Sequence, residues 1–172
     1  MFKYSKMLRM SGLALENGNS IGHVHDIVFD LKNKYVAWIC MSINARKRFL
    51  SFGDVIDING NIVIQSDDKI KDVDRKFIEK AKLVRGSEIL NKKIMTNKGY
   101  DIGYINDIYI DLSYGSIEAF EISDGIVQDI ISGRSIIPLI GELYLKKDYF
   151  FISKDACEEI IESERGLHKI FS

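Results

Sequence analysis

The sequence predicts a mainly β protein built as two tandem small β-barrels, each followed by a short α-helix. Three observations lead there. Residues 18–42 and 99–123 carry one pattern twice, Gly-x-x-Ile-Gly-x-(Val/Ile)-x-Asp-Ile-x-(Phe/Ile)-Asp-Leu and then a second apolar run, at a constant offset of about 81 residues, which marks an internal duplication. Within each copy the apolar residues recur with a period near two, the period of half-buried strands. The length of 172 residues with 46% hydrophobic content then suits two small domains of roughly 80 residues each.

Taken in order, copy one places Ile27, Phe29 and Leu31 on one face against Asp26, Val28 and Asp30 on the other, and copy two repeats this with Ile108, Ile110 and Leu112 against Asp107, Tyr109 and Asp111. Val24 and Ile105 fall out of phase with these core faces, so a β-bulge is expected near Asp26 and Asp107. Lys32-Asn33-Lys34 and Ser113-Tyr114-Gly115 turn the chain, with Asn33 or Lys34 and Gly115 taking positive φ. Return strands follow over 35–43 and 116–122. Later strands recur at 49–58 with 61–65, joined by Asn59-Gly60, and at 136–145 with 149–153, joined by Lys146-Lys147-Asp148. The offset has grown by then, so copy two holds an insertion between 123 and 136. It reads as a short helix capped by Asp124 and closed by Gly133, with Ile126, Val127, Ile130 and Ile131 on one face. Helical spacing of Val73, Phe77, Ile78 and Ala81 predicts a helix over 72–83, and a second helix starts at Ser153 and runs to Gly166. The expected domains are 1–83 and 84–172. Domains so small bury only about 60% of their unfolded surface, so each is expected to lean on its sister.

Composition narrows the functional classes. The formal net charge is −1 and the pI near 6.3, which lacks the basic balance of a dedicated nucleic-acid binder. Residues 1–86 carry 15 basic and 10 acidic side chains while residues 87–172 carry 9 and 15, so the chain is dipolar and could attract itself within the chain or between copies. Residues 1–10 alternate basic and apolar side chains without the apolar core of an export signal, and no stretch reaches a membrane-spanning length. Two cysteines, Cys40 in a strand pattern and Cys157 in a helix pattern, make no disulfide framework. A cytoplasmic protein is expected. Abundant Ile, Lys and Asn with a single Pro point to an AT-rich bacterial coding bias.

No catalytic or metal-ligand constellation stands on this framework. Gly22 and Gly103 lie in no glycine-rich phosphate turn and read as structural glycines entering a strand. Asp26, Asp30, Asp107 and Asp111 are expected to face solvent and to hydrogen-bond local amides beside the turns. His23 and His25 share a strand face, but Tyr104 and Asn106 replace them in copy two, and no ligand cluster completes a shell. Cys40, replaced by Glu121 in copy two, lacks a partnering base and reads as an inert buried thiol. No cofactor or metal is therefore expected. The candidate interaction residues are Val28 and Trp38, an apolar pair on the outward face that the sister barrel or a partner should cover, with the sister preferred; the basic turn Arg46, Lys47 and Arg48; and the inserted apolar face of Ile126, Val127 and Ile130.

At copy two, Ser87-Glu88-Ile89-Leu90-Asn91-Lys92-Lys93-Ile94 followed by Gly99 to Gly103 and by Asp107 to Asp111 resembles the Ser-x-Leu-x-x-Lys-x-Val…Gly-x-x-(Leu/Ile)-Gly-x-Ile-x-Asp line of the PRC-barrel family, in particular its sporulation-associated YlmC/YmxH branch. Ser5-Lys6-Met7-Leu8 opens copy one in the same way. The same barrel forms the C-terminal domain of the ribosome maturation factor RimM. The resemblance implies an interaction module that binds protein partners, with no general catalytic residue. The resulting expectation is a non-enzymatic scaffold or adaptor, with an unknown protein partner, no nucleic acid, no membrane span and the capacity to form a homo-oligomer. A ribosome- or RNA-associated assembly factor is the alternative.

Overall fold

A computed structural model describes residues 1–96, 99, 101–123, 135–139, 143–146 and 149–152. In chain order the elements are β1 (Phe2–Lys3), α1 (Tyr4–Met7), β2 (Ser11–Ala14), β3 (Ser20–Asp30), β4 (Tyr35–Ile43), β5 (Arg46–Ser51), β6 (Val55–Ile58), β7 (Asn61–Ile64), β8 (Ile70–Lys71), α2 (Arg75–Lys80), β9 (Val84–Arg85), α3 (Gly86–Ile89), β10 (Lys93–Thr96), β11 (Asp101–Ile110), β12 (Ile117–Ser123), β13 (Ser135–Pro138), β14 (Leu143–Lys146) and β15 (Tyr149–Ile152). The protein is mainly β, and the duplication is complete at the level of topology. One sheet runs β6-β7-β2-β3-β4-β5-β8 and the other β14-β15-β10-β11-β12-β13, so six strands keep their order in both. In each, the first long-hairpin neighbour makes one parallel pairing, β2 with β7 and β10 with β15.

Local chemistry explains the hairpins. Lys34 and Gly115 take φ of 55° and 71°, as the turns require. Asp30 accepts the Asn33 N–H at 3.0 Å, and Asp111 accepts the Ser113 N–H at 2.7 Å, so these two carboxylates seal the turns as expected. Gly60 at φ 75° closes the Asn59-Gly60 hairpin between β6 and β7. The bulge also falls where the phase slip placed it, since the β3–β4 register shifts between Val24 and Asp26. Gly22 sits at φ 83°, and a Cβ there would collide with the Ser42 carbonyl oxygen, so its role is structural.

Three differences from the sequence reading have physical causes. The strand expected over 49–58 is interrupted by a single 3-10 turn at Phe52–Asp54. The helix expected over 72–83 is confined to α2, because the Asp74 side chain accepts the Lys76 N–H at 3.0 Å and fixes the start. The very short β1 and β9, each running into α1 or α3, carry too few residues to show a period and were not expected. The inserted segment with Ile126, Val127 and Ile130, and the helix expected from Ser153, lie outside the described residues.

The chain divides into two compact units, Met1–Ile89 with Ile108–Ile117, and Leu90–Asp107 with Glu118–Ser172. The core of the first holds Ile27, Phe29, Ile39, Met41, Leu50, Ile62 and Ile64, all buried. In the second, Phe120 and Phe150 meet edge-on at 5.6 Å with Ile94 and Ile105 buried as well. The first unit contains the tip of the second repeat's hairpin, where Val36 donates to Gly115 O and Ile117 donates to Lys34 O, both at 2.8 Å, around a Tyr35–Ser116 bridge. Val36 and Ile117, and Lys34 and Gly115, are equivalent positions of the repeat, so the two bonds are mates under a local pseudo-twofold axis.

Candidate interaction surface

Asp26 and Asp107 do not face solvent beside a turn, contrary to the sequence expectation; both are 4% exposed. The bulge turns the Asp26 side chain under the segment that follows β9. Its Oδ1 accepts the Tyr4 hydroxyl at 2.8 Å, the Ile27 N–H at 2.8 Å and the Ser87 N–H at 3.3 Å, and its Oδ2 accepts the Ser87 hydroxyl at 2.6 Å. A buried carboxylate saturated by four donors is a structural fastener. It binds three segments far apart in sequence.

Two residues further along β3, Val28 is completely buried and pairs across the ladder with Trp38. Val28, Cys40, Phe49 and Ile78 form an apolar cluster on the outward face, with Trp38, Val73 and Leu83 packed against it. Phe77 meets the Trp38 indole edge-on at 6.2 Å. The described cover over Trp38 is thus the chain segment around α2. The covering is incomplete, since Trp38 stays half-buried and Phe77 is 48% exposed. Beneath them Cys40 is buried and its thiol pKa is pushed above the usual 9.0, first by desolvation and then by the Asp26 carboxylate, while Arg85 and Lys47 pull the other way. That thiol is kept protonated and shielded, the reverse of an activated nucleophile.

The basic turn splits into two roles. Arg48 donates to Asp72 Oδ1 at 3.2 Å and to the Ile70 carbonyl at 3.0 Å, clamping β8 to the sheet. Arg46 and Lys47 are exposed and, among the described residues, have no ion-pair partner. Lys47 lies on the outward face with Phe49 and Cys40, as the register Ser42–Lys47 and Cys40–Phe49 dictates. A half-open aromatic pair and the exposed Lys47 therefore share one side of the first repeat, while Arg46 alternates to the other face with Ile43. Beside Arg48 an open groove of about 550 Å³ is lined by Asn19, Ser20, Asp67, Asp68 and three isoleucines; its polar groups are partly committed, Arg48 as above and Asp67 to Asn17 at 3.3 Å.

The second unit carries a different outer face. Lys93 lies in register between Tyr104 and Tyr149, which are 43% and 42% exposed. A hydrogen bond from Lys93 to the Asp101 carboxylate at 2.6 Å raises the lysine pKa above 10.5. Its ammonium also lies 5.7 Å from the Tyr104 ring. In the interior, Glu121 is 1% exposed and accepts from Asn106 Nδ2 at 2.7 Å, a pair that takes the place of Cys40 and His25 in the first repeat. His23 and His25 are exposed, and no group of three or more potential metal ligands occurs among the described residues. The fastener at Asp26 and the Asn106–Glu121 pair escaped sequence reasoning; the recurrence of the Asp at the out-of-phase position was their one visible signal. Ile126, Val127 and Ile130 cannot be placed on either surface.

Fold and surface together define a tandem β module with solvent-facing aromatic and basic side chains. The PRC-barrel domain matches the chain in two segments, residues 12–71 and 82–156, and the protein belongs to that family. No curated protein matches the chain. Among the described residues no helix is long and apolar enough to cross a membrane.

Proposed function

We propose that the protein is a cytoplasmic, non-enzymatic adaptor of a sporulation-associated bacterial branch of the PRC-barrel family, similar to YlmC/YmxH, and that it docks a protein partner through the outward face of its first repeat. The observation that carries this reading is the half-open Trp38–Phe77 pair with the exposed Lys47 on the same side. Aromatic and cationic side chains in that proportion suit a partner surface that is apolar at its centre and acidic at its rim. The buried groups that could do acid–base or nucleophilic chemistry are committed elsewhere: Asp26 is saturated and Cys40 is held as a thiol. Capture from the native organism with the wild-type protein and with a Phe77→Asp, Lys47→Glu variant tests the reading. A partner retained by wild type and lost by the variant is expected; equal recovery by both contradicts it.

The exposed Arg46 and Lys47 favour a second reading, contact with RNA in an assembly factor of the RimM kind. An electrophoretic shift at physiological salt that disappears on replacing both with Ala supports that reading over the first.

A further inference from the structure

At one end of the first sheet, β6 pairs with β7 and, among the described residues, with no strand on its other side. Such an edge presents a row of unpaired main-chain N–H and C=O groups, the groups that an added strand satisfies. The register of β6 on β7 shifts between Val55 and Asp57, and Ile56 at that bulge is 53% exposed. This edge does not open onto a bare surface. A groove of about 330 Å³ touches every residue of β6, Val55 to Ile58, and is bounded further by Phe52 and by Leu112 and Ser113 of the second repeat's hairpin. All of these residues belong to the first compact unit.

The walls of the groove are fixed by contacts that no occupant supplies. The Phe52 ring lies so close to Gly115 that a Cβ there would collide with it. The hairpin tip is held in turn by the Val36 N–H on Gly115 O and the Ile117 N–H on Lys34 O, and Ser113 gives its own N–H to Asp111. The groove is thus preformed, and an occupant need not order its walls. The ladder then sets the chemistry along it. Val55 and Ile58 stand opposite the buried Ile64 and Ile62, on the core side, whereas Asp57 stands opposite the half-buried Val63, on the outward side. Asp57 is exposed and is the one charged side chain lining the groove. Nearby Asp54 already faces Lys69 at 4.0 Å, while Asp57 has no ion-pair partner among the described residues. An extended segment laid along β6 meets a carboxylate at its outward-facing position and apolar side chains at the two positions flanking it.

We infer that this groove is a docking site for an extended peptide segment of a partner protein, added to β6 as a further strand, with a lysine or arginine opposite Asp57 and an apolar residue on each side of that cation. Main-chain pairing supplies the affinity, and the carboxylate with its apolar flanks supplies the selectivity. The hairpin at Leu112 and Ser113 bounds the groove across from the open edge, so there is room for one strand. A folded sheet, such as the β6 edge of a second copy, would meet that hairpin first. The groove shares no residue with the Trp38–Phe77 face, and neither reading depends on the other.

The probe is a phage-displayed library of random heptapeptides selected on the immobilised wild-type protein, with the enriched sequences then made as fluorescein-labelled peptides and titrated by anisotropy. The enriched peptides should carry the apolar–basic–apolar pattern. They should bind Tyr114→Trp, a change next to the groove but outside its lining, as tightly as wild type. Ser113→Trp fills the groove from the hairpin side while its main-chain bond to Asp111 persists, and should weaken binding several-fold. Asp57→Lys should reverse the charge preference, favouring a glutamate at the central position. Hydrogen exchange at Val55–Ile58 should slow several-fold when peptide is bound. No enrichment above the bare support, or equal binding by Ser113→Trp and wild type, overturns the docking site. Binding without added protection of Val55–Ile58 overturns strand addition. A wild-type dimer in sedimentation that Ser113→Trp disperses assigns the groove to a second copy and overturns the peptide occupant.

Discussion

The two repeats share a backbone and differ in what they show to solvent. Ser11, His23 and Asn61 of the first repeat are aligned in register across β2, β3 and β7, and the same three places of the second repeat hold Lys93, Tyr104 and Tyr149. Beneath the opposite surface, Cys40 under an apolar cover corresponds to the hydrogen-bonded Glu121. Even the matching segments β1–α1 and β9–α3 differ at one place, Tyr4 against Gly86. Strand order, the parallel pairing, the turn carboxylates and the registers of β1 on β11 and β9 on β3 survived duplication because each satisfies main-chain groups that cannot be left unpaired. Side chains on covered or solvated faces were free to diverge.

If the buried aspartates are true equivalents, removing either should hurt most. Asp26→Ala leaves Tyr4, Ser87 and Ile27 donors without an acceptor and should cost about 3 kcal/mol in urea unfolding. Asp107→Ala should cost a similar amount, and a difference of several-fold between them would break the equivalence. Next comes the asymmetric contact. Gly86→Ala forces a methyl into the Tyr4 ring and should cost about 2 kcal/mol, whereas the same change in a Tyr4→Ala background should be nearly neutral; additivity of the two changes would show that the ring and the gap are not coupled.

Trp38 distinguishes the covered face of the first repeat from its counterpart. A fully buried indole would cost about 3–5 kcal/mol on truncation, but a half-buried one resting on Phe77 should cost about 1–2 kcal/mol. Phe77→Ala should shift the Trp38 emission to the red, and an unchanged spectrum would mean that α2 does not cover it. The smallest effect is alkaline. Because the folded state raises the Cys40 pKa, that residue's contribution to stability is complete below the ordinary value near 9.0 and declines as pH rises beyond it. The stability difference between wild type and Cys40→Ala should therefore fall above that pH, and a difference that grows would contradict a buried thiol.

Much of this was legible in the sequence because strand period, turn residues and phase slips are local signals. Ile27, Phe29 and Leu31 announced the core face, Asn59-Gly60 its hairpin, and Val24 the bulge. What stayed hidden depends on residues distant in sequence. Val28 read as outward-facing, which it is, yet its burial comes from Val73, Ile78 and Leu83 lying over it. Asp26 read as a turn residue because its partners Tyr4 and Ser87 are 22 and 61 positions away. β1 and β9 were too short to have a period, although the residues around them, Phe-Lys-Tyr-Ser-Lys-Met-Leu at 2–8 and Val-Arg-Gly-Ser-Glu-Ile-Leu at 84–90, share a pattern. The basic turn read as one patch, and only the reach of Arg48 to Asp72 and Ile70 separates its structural cation from the two exposed ones.

The account rests most heavily on the claim that elements of both repeats build the first compact unit. Native-state hydrogen exchange in rising urea addresses it directly, with β3 at Ser20–Asp30 and the hairpin at Ile108–Ile117 followed in the same sample. The pairing of β9 on β3, of β1 on β11, and of Val36 with Gly115 predicts that both segments lose protection together, at one urea concentration and with one free energy. Early opening of Ile108–Ile117 while Ser20–Asp30 remains protected would contradict the claim and describe two independent beads on a string.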